Sequence, residues 1–60
     1  LVTLVIWKGH VKKREEHPTI DDAICTAQIY FDDGTGSPLH IEDKDGNLIL
    51  SEDKLYNKLR

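Results

Sequence analysis

Three histidines, one cysteine and eleven carboxylates are the groups with which this 60-residue chain could do chemistry. His10, His17, Cys25 and His40 are zinc ligands by type, but they follow one another at intervals of 7, 8 and 15 residues. Zinc is gathered by short-spaced pairs, so this spacing points away from a metal centre. The run Asp43-Lys44-Asp45-Gly46 invites comparison with a calcium loop, which needs glycine at its sixth position and a bidentate glutamate at its twelfth. Counted from Asp43, Gly46 falls fourth and Lys54 twelfth, so the register fails and a hairpin turn is the better reading. A cysteine nucleophile activated by histidine needs a third group to orient the base, and no spacing supplies one. Gly34-Thr35-Gly36 lacks the lysine and the following helix of a phosphate loop. The sequence therefore predicts no catalytic residue, no metal site and no cofactor.

Charge narrows the partners. The total is −3, yet all eleven acids lie between Glu15 and Asp53 against Lys44 alone, a local balance of −10. Lys8, Lys12, Lys13 and Arg14 stand before that block, and Lys54, Lys58 and Arg60 after it. The first basic stretch, beside Trp7 and including His10, is the one place that could meet phosphate. On a strand it would put His10, Lys12 and Arg14 on one face, but Glu15 and Glu16 follow at once. A nucleic-acid module of this size carries a clearly positive total, so direct nucleic-acid binding is disfavoured.

The elements that must position these groups can be read from periodicity and punctuation. Residues 1–7 form a strand with both faces apolar, Leu1, Thr3, Val5 and Trp7 on one and Val2, Leu4 and Ile6 on the other. Lys8-Gly9 turns the chain into a polar edge strand over 10–16. Thr19 caps a helix whose first turn holds Asp21 and Asp22, both favoured by the helix dipole. At 100° per residue, Ile20, Ala23, Ile24, Ala27 and Phe31 make a core stripe with Tyr30 on its rim. Asp32-Asp33-Gly34 ends that helix, and Pro38 begins an extended segment. Leu39 and Ile41, then Leu48 and Leu50, alternate with polar or outward residues to make a hairpin around Asp43 to Gly46. Ser51 caps a short last helix that carries Leu55, Tyr56 and Leu59 on one side and ends in Lys58 and Arg60.

The predicted fold is a small single α+β domain over residues 1–60, order β-β-α-β-β-short α, with an antiparallel sheet of two hairpins and one main helix packed on it. Its apolar stretch over 1–7 is too short to span a bilayer, and no basic segment precedes it as in a signal peptide. A single cysteine excludes an internal disulfide and places the chain in the reducing cytoplasm.

Cys25 and Ile29 oppose the core stripe of the main helix at about 140° and 180° and are surface neighbours. With Leu55 and Leu59 they form the candidate interface. A chain this short has difficulty covering both faces of a strand and both faces of a helix, so the function expected is a non-catalytic protein-interaction module that forms a homodimer. The rival reading is an acidic inhibitor or adaptor that binds a basic surface of a nucleic-acid-handling protein. It would present Asp21, Asp22, Asp32, Asp33, Glu42, Asp43 and Asp45.

Overall fold

A computed structural model describes residues 1–59. Its elements are β1 (Val2–Lys8), β2 (Val11–His17), α1 (Ile20–Asp33), β3 (Ser37–Asp43), β4 (Leu48–Leu50) and α2 (Glu52–Lys58). They form the α+β arrangement read from the sequence, an antiparallel sheet with α1 packed on it and a short last helix. Strand order is β2-β1-β3-β4, so β1 lies inside the sheet, as its two apolar faces require.

Local chemistry sets the boundaries. Gly9, Gly34 and Gly46 take positive φ, at the first hairpin, the end of α1 and the second hairpin. The Thr19 hydroxyl accepts from the Asp22 amide at 3.1 Å and starts α1; the Gly34 amide donates to the Tyr30 carbonyl at 2.9 Å and closes it. In the second hairpin the Gly46 amide donates to the Asp43 carbonyl, while the Asp43 carboxylate accepts from the Asp45 and Asn47 amides, both at 2.8 Å. The Ser51 hydroxyl accepts from the Lys54 amide and starts α2. Arg60, expected in the basic end of α2, lies outside the described residues.

One face of the sheet carries the core. Val2, Leu4 and Ile6 of β1, Ile41 of β3, Ala23 and Ala27 of α1 and Leu55 of α2 are buried together. The two alanines let α1 lie close to the sheet. Around them pack Ile24, Tyr30, Ile49, Leu50 and Leu59. The buried stripe is thus turned towards Tyr30 relative to the one expected, and Ile20 and Phe31 remain largely exposed. Two contacts explain the turn. The Tyr30 hydroxyl is tied to β2, and the Phe31 and Tyr56 rings meet edge to face, centroids 5.7 Å apart.

Two register breaks also depart from simple alternation. Between β1 and β3, Val5 faces His40 while Ile6 faces Pro38, so Leu39 is the extra residue of a bulge. Between β3 and β4, Ile41 faces Leu50 and Glu42 faces Leu48, so Ile49 is extra. Leu48 and Leu50 therefore do not share a face. Leu50 packs on the core, and Leu48 goes to the other side, 59% exposed.

Candidate functional site

Among the described residues, α1 and α2 both pack on one side of the sheet, and the face opposite α1 has no second layer. Cross-strand pairing places Thr3, Val5 and Trp7 of β1 there, with Lys12, Arg14 and Glu16 of β2, His40 and Glu42 of β3 and Leu48 of β4. Val5 is the floor of this surface, 1% exposed and outside the helix-side core; its direct neighbours are Arg14 on one side and His40 on the other. Trp7, 39% exposed, carries the Lys12 ammonium 5.8 Å from its ring centroid.

A three-strand polar bridge crosses the floor. Glu42 takes a short charged hydrogen bond from Arg14 on one carboxylate oxygen and accepts from His40 Nε2 on the other at 2.7 Å. A carboxylate only accepts, so Nε2 of His40 bears the proton. His40 first and Arg14 next hold the Glu42 carboxyl below the usual glutamate range.

The face is also polarised along its strands. Trp7 and Lys12 stand at the end near the first turn, while Thr3, Glu16, Glu42 and Leu48 stand at the end where α1 begins. Leu1, next along the same side of the chain, is exposed at that second end.

On the helix side, a second polar group fills the margin between α1 and β2. The Tyr30 hydroxyl donates to Glu15 at 2.6 Å, Lys8 lies 3.4 Å from the same carboxylate oxygen, and the Lys8 ammonium sits 4.7 Å from the Tyr30 ring centroid. Burial pushes the Glu15 carboxyl up, but Tyr30 and Lys8 outweigh it and leave it below the usual range. His17 stands between Glu15 and Asp22, at 3.5 and 3.4 Å. Among the described residues no cavity opens beside this cluster. Among the described residues no three of His, Cys, Asp and Glu gather as a ligand set for a metal ion. No described helix is long and apolar enough to cross a membrane.

The expected interface is divided by the fold. Cys25 and Ile29 are exposed on the outer face of α1. Leu55 is a correction: it is 0% exposed and belongs to the core, because the short α2 packs against β3 and β4 on the same side of the sheet as α1 and has no other apolar anchor of that depth. Leu59 is packed against the same core. The expected acidic surface is divided too. Asp21 and Asp22 begin α1 at the sheet end where Asp43 pairs with Val2 and the Asp45 turn follows, whereas Asp32 and Asp33 finish α1 at the opposite end. Asp43 is occupied by its own loop amides and Glu42 by Arg14 and His40.

Sequence reasoning identified the two apolar faces of β1 but not the company Val5 and Trp7 keep. Arg14 and Glu42 are 28 residues apart, and only the strand order β2-β1-β3 brings them together. The chain matches no protein-family model, no curated protein and no solved structure.

Proposed function

We propose that this chain is a non-catalytic protein-interaction module that acts as a homodimer. The observation that carries the reading is the open face of the sheet: floored by the buried Val5, crossed by the Arg14-Glu42-His40 bridge and edged by the exposed Leu1, Trp7 and Leu48, it carries no second layer of helix or strand among the described residues. A four-stranded sheet with one helix layer gains stability when a second layer removes such apolar edges from water. Two copies supply that layer to each other. The lone exposed Cys25, with no second cysteine in the chain, supports a reducing compartment such as the cytoplasm.

The test is sedimentation equilibrium across nanomolar to high micromolar concentration. A monomer–dimer transition supports the module; a mass that stays at 6.9 kDa throughout overturns it. The acidic adaptor stands second. Asp21, Asp22 and Asp45 at one end of the sheet favour it, but Asp32 and Asp33 are too far along α1 to join them.

A further inference from the structure

We infer that the two copies meet sheet face to sheet face about a two-fold axis that crosses the strands over Val5, setting Lys12 of each copy against the partner's Glu16. The inference rests on the homodimer reading and adds the surface and the register to it. Lys12, Arg14 and Glu16 alternate along one face of β2, with Arg14 beside Val5. Lys12 and Glu16 are therefore equidistant from the Val5 row, one on each side, and opposite in charge. An axis lying in the plane of the face and perpendicular to the strands reverses strand direction while keeping β2 over β2. That operation carries each Lys12 onto the partner's Glu16 and each Glu16 onto the partner's Lys12, the reciprocal contact a two-fold interface requires.

The same operation lays Trp7 over the partner's Thr3, next to its Leu1, so the aromatic at one end of the face covers the apolar edge at the other. Stacked sheets lie about 10 Å apart, a gap that lysine and glutamate side chains bridge from opposite faces. Arg14 sits on the axis, where two like charges would repel. Each arrives already neutralised by its own Glu42.

The outer face of α1 offers no comparable match. With Leu55 in the core, it presents Cys25 and Ile29 without an aromatic or an apolar neighbour of similar size.

The experiment is a charge exchange followed by sedimentation and by Trp7 fluorescence over the same concentration series. Lys12→Glu and Glu16→Lys, each alone, place like charges against each other and raise the dimer Kd at least about tenfold. The double variant Lys12→Glu/Glu16→Lys restores it to within about threefold of the parent. Trp7 emission shifts to the blue as the parent and the double variant dimerise, and stays put in the single variants. Circular dichroism checks that each variant is folded, which is expected because both side chains are exposed. Ile29→Asp leaves the Kd unchanged. Unchanged single variants, a double variant as weak as the singles, or a dimer broken by Ile29→Asp with a constant Trp7 emission would each overturn this register while leaving the homodimer standing. A parent chain that is monomeric at every concentration removes the homodimer itself.

Discussion

The Tyr30 hydroxyl donates to Glu15 at 2.6 Å, fastening the last turn of α1 to the edge strand β2. Lys8 holds the same oxygen from β1 at 3.4 Å. One carboxylate thus joins the helix to two strands. Tyr30→Phe keeps the ring and its packing on the core but removes the donor. The loss should be about 1 kcal/mol, below the range of about 1.5–3 kcal/mol for a hydrogen bond to a charged group, because Glu15 is partly solvated. Urea unfolding measures it. In the same variant burial is opposed chiefly by Lys8, so the Glu15 carboxyl should titrate higher by NMR than in the parent.

Glu42 makes folding sensitive to acid. Its carboxyl is held below its unfolded value, so the unfolded chain binds the proton more tightly, and stability rises with pH through that window. The contribution is complete above the unfolded glutamate value of about 4.3 and is lost as pH falls through the lower folded value. Glu42→Gln should flatten this part of the stability profile between neutral pH and pH of about 3, measured by thermal melts. A parallel profile for parent and variant would refute the Arg14-Glu42-His40 bridge.

Leu55→Ala opens a cavity between α2 and the sheet. A fully buried leucine lost from a core costs about 2–5 kcal/mol. For so small a chain that is a large part of its stability, and the midpoint of unfolding should fall sharply. Ile29→Ala, on the outer face of α1, should change it by no more than about 0.5 kcal/mol. Equal effects at the two positions would return Leu55 to the surface.

Calcium and zinc should leave the melting temperature unchanged to within about a degree, since a ligand stabilises only by binding the native state in preference. The Asp43 carboxylate already accepts two loop amides, and the histidines stay on separate elements. A stoichiometric heat of binding for either ion would contradict this.

Local signals were the legible part of the fold. Thr19, Gly34, Gly46 and Ser51 mark the ends of elements through bonds made within a few residues, and such bonds are visible in a sequence. The placement of Leu48 was not legible, because a single bulged residue reverses every side chain beyond it and leaves no mark in the apolar alternation. Leu55 was misplaced for a related reason. A helix of 7 residues has an apolar side whether it seals a core or greets a partner, and only tertiary packing decides which. The uncovered face was half legible: β1 showed two apolar sides, but the bridge over Val5 depends on pairing between distant strands.

The two outer strands limit how the sheet can grow. β4 offers 3 residues to an incoming strand, and β2 carries Lys12, Lys13, Arg14, Glu15 and Glu16 in unbroken succession. Each new backbone pairing on β2 would bring charged side chains on both faces beside those of the added strand, and pairing on β4 would end almost as soon as it began. An apolar interior strand such as β1 is the kind of segment that seeds cross-β fibres when it lies at a sheet margin. Here it is sheltered on both sides, so the fold should resist fibrillation for as long as it stays closed.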